Sequence, residues 1–199
     1  MRKLLVFAVA LLMVSLWTAY SLHDTASAQG KASFVGAAKC KTCHKKPKAG
    51  EQFKIWSESA HAKAYETLGT DKAKEIAKEK GIEDPQTAKE CIKCHVTGYD
   101  AAAEQLGTKY AVTDGVGCES CHGAGGDYYK KKTMKSITMG EIEGKSVGLV
   151  TPDKAVCEGC HNDESPSFES FDFDEMFKKI AHPMPDTLKA EYKKTGGSK

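Results

Sequence analysis

Little in this sequence could fill a conventional core. Only 40% of its residues are hydrophobic and 8% aromatic, and the one long apolar run, Leu4 to Trp17, lies at the N-terminus. The remainder is short of the apolar surface whose burial drives folding. Neither sign of charge dominates, with 29 Lys and Arg against 27 Asp and Glu, so no nucleic-acid partner is expected. No catalytic constellation stands out; a pair such as Asp163/Glu164 reads as solvated surface. No cysteine follows the leader closely enough for a lipoprotein, and none lies outside one recurring pattern.

That pattern is C-x-x-C-H, and it occurs four times. The copies are Cys40-Lys41-Thr42-Cys43-His44, Cys91-Ile92-Lys93-Cys94-His95, Cys118-Glu119-Ser120-Cys121-His122 and Cys157-Glu158-Gly159-Cys160-His161. This is the attachment signature of c-type haem. In it both thiols bind the porphyrin and the histidine is the proximal iron ligand. The four copies consume all eight cysteines. With 7 His in 199 residues, chance would put one after every pair with a probability on the order of one in a million. Structural zinc sites use similar cysteine pairs but require no histidine after each. A disulfide framework would also leave those histidines idle. Four covalently bound haems are therefore expected, held by Cys40, Cys43, Cys91, Cys94, Cys118, Cys121, Cys157 and Cys160, with His44, His95, His122 and His161 on iron. The first cysteines are unevenly spaced, which argues against a solenoid. The shortest step places the second and third haems near each other.

The N-terminus reads as an export signal. Arg2 and Lys3 precede the apolar run, and Thr25-Ala26-Ser27-Ala28 ends in small residues suited to cleavage. Residues 1–28 are thus expected to be a signal peptide and 29–199 a single periplasmic tetrahaem domain. If the leader is not cleaved, its apolar stretch extends to Leu22 and approaches membrane-spanning length. Export agrees with c-type haem, and haem faces would supply the apolar surface the chain lacks.

Four irons have eight axial positions. His23 lies in the leader, so only His61 and His182 remain as distal ligands. His61 sits among alanines in Ser59-Ala60-His61-Ala62, which lets a flat ligand approach; His182 is directed by Pro183. Met134 is the leading thioether candidate, and its alternative role is packing. If at most one methionine binds, at least one iron has an open or water-bound face.

The spacing predicts helices over Glu51–Leu68, Asp71–Lys80, from Pro85 through the second motif, within Asp127–Lys135 and over Asp172–Ala181. A short hairpin is predicted within Tyr99–Asp114. The fold class is mainly α, a small multihaem cytochrome with its polypeptide wrapped around the haems and little β.

The string Cys40-x-x-Cys43-His44, Trp56, Ser59-Ala60-His61-Ala62, Gly115-Val116-Gly117-Cys118-Glu119-Ser120-Cys121-His122-Gly123 and Phe173-Asp174-Glu175-Met176 resembles the tetrahaem cytochrome c-554 family. The resemblance implies a mostly helical fold, haems in stacked pairs, distal roles for His61 and His182, and no protein sixth ligand on the haem held by His95. The family also has a Gly-Asp-His after the third motif. Here Gly126-Asp127 is followed by Tyr128 and Tyr129, so the sixth ligand it implies for the first haem is missing.

The expected function is periplasmic electron transfer between redox partner proteins, without an enzymatic activity. The alternatives are reduction of a small molecule such as nitric oxide at an open iron, and stacking into a conducting filament. Charge supplies a further expectation. Lys39, Lys41, Lys45, Lys46 and Lys48 surround the first motif, whereas Glu158, Asp163, Glu164, Glu169, Asp172, Asp174 and Glu175 surround and follow the fourth. These are candidate docking faces of opposite sign, or solvated loops.

Overall fold

One helical turn places side chains i, i+3 and i+4 on a common face, and short helices of this kind are the main units of the structure. The computed structural model describes residues 32–188 and 190. The signal-peptide expectation and His23 lie outside these residues. The described helices are α1 (Ala37–His44), α2 (Gln52–Ser57), α3 (Ala64–Thr67), α4 (Asp71–Glu79), α5 (Lys89–His95), α6 (Cys118–His122), α7 (Lys131–Thr138), α8 (Lys154–Glu158) and α9 (Phe173–Ile180). Among the described residues there is no sheet, only an isolated bridge between Phe34 and Leu106. None of their helices is long and apolar enough to cross a membrane. The mainly α expectation holds.

Several predicted elements are interrupted. The helix expected over Glu51–Leu68 is α2, a 3-10 turn at His61–Lys63, and α3. The break falls where Ser59 donates its hydroxyl to the Trp56 carbonyl at 2.6 Å, a local bond that competes with helix continuation. The helix expected from Pro85 starts later, at Lys89. Asp84 accepts the Gln86 N–H and the Thr87 hydroxyl, and so closes a turn in place of capping a helix. The helix expected within Asp127–Lys135 starts at Lys131 and runs on to Thr138. The hairpin within Tyr99–Asp114 is absent; that stretch holds 3-10 turns at Ala103–Gln105 and Val112–Asp114. By contrast, α4 and α9 match their predicted spans closely. Thr70 caps α4 and Asp172 caps α9, each accepting an N–H three residues on.

The segment Ser33–Ala37 ties these pieces together. Phe34 exchanges backbone hydrogen bonds with Gln105 and Gly107, each at 2.8 Å. The Val35 and Gly36 N–H groups donate to the two oxygens of Glu119, and Ala37 N–H donates to Asp114. Gly126 N–H donates to the Ser33 carbonyl. Gly36 has φ +85, and a Cβ there would stand 2.1 Å from the Lys109 carbonyl oxygen, so only glycine fits.

The apolar core is thin. Val35, Ala37, Leu68, Ala77, Val96 and Tyr128 are the buried hydrophobic residues described, and no large side chain is fully enclosed. A polypeptide of this length ordinarily buries far more. The scarcity noted in the sequence persists in the fold.

Candidate functional site

Each motif occupies a turn of helix. The first, second and third lie in α1, α5 and α6, which all end at the motif histidine. In the fourth, α8 ends at Glu158, and the turn continues through His161 N–H donating to the Cys157 carbonyl at 3.0 Å. The i, i+3, i+4 spacing therefore puts both thiols and the imidazole of each motif on one face.

All eight thiols are free. The Cys40 and Cys118 thiols are hydrogen-bonded to each other; that contact and burial hold the Cys118 thiol above its ordinary value. Burial pushes Cys160 up to about 12, and the neighbouring Cys94 thiol adds to the shift. Cys121 interacts with Cys157 and Cys160. Neighbouring thiols thus link the first motif to the third, the third to the fourth and the fourth to the second. The polypeptide of the second and third motifs also meets directly. Thr97, just after the second motif, accepts the Gly117 N–H and shares a 2.7 Å hydrogen bond with Ser120 of the third.

The imidazoles are held by their Nδ1 atoms. Nδ1–H donates to the Ala64 carbonyl from His95 at 2.7 Å, to the Val150 carbonyl from His122 at 3.1 Å and to the Ile180 carbonyl from His182 at 2.8 Å. His44 makes a longer contact, 3.4 Å, with the Gln52 side-chain oxygen. A carbonyl can only accept, so the proton sits on Nδ1 and the Nε2 lone pair is left for a metal. His161 is fixed differently, stacked on Phe171 at 4.7 Å and 13°.

Two pairs of imidazoles meet with their rings inclined at 73° and 68°. The ring centres of His61 and His161 are 6.0 Å apart, and those of His122 and His182 are also 6.0 Å apart. Two metal–nitrogen bonds of about 2 Å and the half-widths of two five-membered rings add up to nearly this separation. Burial and then His161 push His61 below the ordinary histidine value. Burial likewise lowers His122, opposed by the Val150 carbonyl and reinforced by His182 and His44. Both shifts favour the neutral imidazole, which is the ligating form. Among the described residues no three His, Cys, Asp or Glu side chains converge as a metal cage. Unpaired thiol couples, each on one face with an imidazole, together with adjoining imidazole pairs fit c-type haem.

His61 is placed from a distance. Its carbonyl accepts the Val116 N–H at 3.0 Å, and the Trp56 indole N–H donates to the Val116 carbonyl at 2.9 Å. Gly115 has φ +62, and a Cβ there would meet the His61 carbonyl oxygen at 2.8 Å. Gly115, before the third motif, therefore admits the His61 backbone.

Met134 lies half-buried on α7, with its carbonyl accepting the Thr138 hydroxyl, and its sulfur makes no hydrogen bond among the described residues. Tyr128 is buried, and its hydroxyl donates towards the His122 and Gly123 carbonyls. Burial, with Glu119 nearby, pushes its phenol well above the usual tyrosine range. Sequence reasoning missed Glu119, Gln52 and Phe171. Glu119 stood in plain view between the third-motif cysteines, but its partners lie far off in the chain.

Comparison with known proteins agrees with this geometry. Residues 39–123 match the family "Cytochrome c554 and c-prime". Cytochrome c-554 of Nitrosomonas europaea is 31% identical over 193 aligned positions, covering 81% of this chain and 79% of that protein. No solved structure matches. Thiol couples, adjoining imidazoles, matched segment and long alignment together place the chain in the cytochrome c-554 family, whose members are electron carriers bearing c-type haem.

Proposed function

We propose that the chain is a periplasmic carrier with four covalent haems, one on each C-x-x-C-H motif, and that it passes single electrons between redox proteins. The observation that carries this reading is the two pairs of adjoining imidazoles at equal 6.0 Å separations. His161 and His61 would hold the fourth haem iron, and His122 and His182 the third. His44 and His95 would be the proximal ligands of the first and second. When bound, c-type haem supplies a one-electron iron couple whose potential depends on axial ligands and burial.

The protein's part is orientation and exclusion of water. Nδ1–H donation to Val150 and Ile180 fixes the His122 and His182 rings and makes them more basic ligands. Stacking on Phe171 fixes His161 without such a bond. The succession first, third, fourth, second defined by the thiol contacts gives a continuous route through the protein. The leader supports export, and the lack of a leftover cysteine leaves no thiol outside the motifs.

Intact-mass measurement with a pyridine haemochrome assay tests the reading. Four haems per chain that survive acid-acetone extraction are expected. A smaller covalent complement would overturn the assignment of one haem to each motif.

A further inference from the structure

We infer that the surface around the first motif is a docking face for a redox protein with an acidic surface, built jointly from α1 and the start of α7; this rests on the proposed haem attachment at Cys40 and Cys43. Cys43 is the one exposed cysteine of the eight, so this side of the motif reaches the solvent. Lys39, Lys41, Lys45 and Lys46 are exposed around it. A second basic run, Lys130, Lys131, Lys132 and Lys135, is exposed about the start of α7. The two runs are remote in sequence but joined in space, because the Lys39 ammonium sits over the Tyr129 ring at 5.9 Å. Lys41 is similarly placed over Phe53 at 4.9 Å. Asp127 is the one carboxylate in residues 39–48 and 127–135.

Local helix energetics favours Lys41 and Lys45, at the C-terminal end of α1, but does not account for Lys131 and Lys132. The first turn of α7 has no acidic residue and begins with Lys131 and Lys132, which face the positive end of the helix dipole. The acidic run near the fourth motif contrasts with it. In α9, Asp174 and Glu175 lie in the first turn and Lys178 and Lys179 in the last, the arrangement that stabilises a helix. Part of the acidic run is also neutralised: Glu164 pairs with Lys93 and Glu158 with Lys154. Helix stability thus explains much of the acidic run but opposes the basic run at the start of α7. A cluster extended by lysines that oppose the α7 dipole, beside the one exposed cysteine, has the charge to steer an acidic partner to the first haem.

Stopped-flow electron exchange of the haem-loaded protein tests this. The probes are reduced flavodoxin, an acidic carrier, and mitochondrial cytochrome c, a basic one. Lys45→Glu with Lys46→Glu, and separately Lys131→Glu with Lys132→Glu, should each slow exchange with flavodoxin about tenfold or more at low ionic strength. The difference should vanish at high salt, exchange with cytochrome c should not slow, and spectra and midpoint potentials should stay as in the wild type. Lys72→Glu with Lys74→Glu, exposed on α4, controls for net charge and should have a much smaller effect. Equal rates for all three pairs, slowing with both probes, or shifted spectra and potentials would overturn the docking face. So would salt-sensitive binding to phosphatidylglycerol vesicles that the variants lose while their exchange rates stay unchanged. A wild-type chain lacking covalent haem would instead remove the carrier reading on which the face depends.

Discussion

The Glu119 carboxylate and the Gly36 N–H meet at 2.8 Å although 83 residues separate them. The same side chain accepts the Val35 N–H at 2.8 Å and the Gly125 N–H at 2.6 Å, and it is only 4% exposed. Three amide donors thus converge on one buried carboxylate. Glu119→Gln would turn an amide NH2 towards at least one of these donors, leaving a buried N–H without an acceptor. The expected loss is about 2–4 kcal/mol in urea denaturation of the haem-loaded protein. A loss too small to measure would show that the carboxylate is not what holds the N-terminal segment.

His61→Ala and His182→Ala should each convert one iron from low to high spin, and the double variant should convert two. Electron paramagnetic resonance and resonance Raman spectra would count them. If either single variant retains the wild-type spectrum, that histidine is not a ligand. Met134→Leu separates its two candidate roles: a thioether-to-iron absorption band is lost if the sulfur binds, and the spectrum is unchanged if the residue packs.

Phe171 is the only ring stacked on a motif imidazole among the described residues. Phe171→Leu should free the His161 ring to rotate and shift one low-spin resonance, while Phe171→Tyr should preserve it. Identical resonances in the Leu variant would mean the ring is held by other contacts.

Asp114 gives the fold a pH dependence with a definite sign. Burial, opposed by the Ala37 N–H, holds its carboxyl above the usual carboxylate value. A carboxyl that binds its proton more tightly in the fold stabilises the fold fully below the unfolded value, about 3.9. That contribution is lost as pH rises through the higher folded value. Asp114→Asn keeps an oxygen for Ala37 and cannot ionise. Denaturation profiles should coincide near pH 3.5 and separate towards pH 7, with the variant the more stable. A less stable variant at pH 7 would assign Asp114 a partner that needs its charge.

The common face of each motif was legible because its residues are local. Cys118, Cys121 and His122 fall within one turn, and spacing alone implies their common face. The helices α4 and α9 were legible for the same reason, since Thr70 and Asp172 cap them from the adjacent position. The pairing of His61 with His161 was not, because it depends on Val116 and Trp56 meeting across 60 residues of chain. The hairpin expected in Tyr99–Asp114 failed because Tyr110 donates its hydroxyl to the Thr97 carbonyl and Phe34 takes the bridge at Leu106, leaving no cross-strand partner. Ser59 and Asp84 broke predicted helices through side-chain bonds that hydrophobic periodicity does not register.

The tie at Ser33–Ala37 also sets an order of events during synthesis. Its side-chain acceptors on Asp114 and Glu119 lie 77 to 84 residues downstream. A chain made from its N-terminus therefore presents the first motif long before anything exists to clasp it. Closing so long a loop carries an entropic cost that local helices cannot offset early, which makes such contacts slow. The first C-x-x-C-H is consequently the copy that waits longest for its neighbours, and docking of the third motif is the step that fastens it in place.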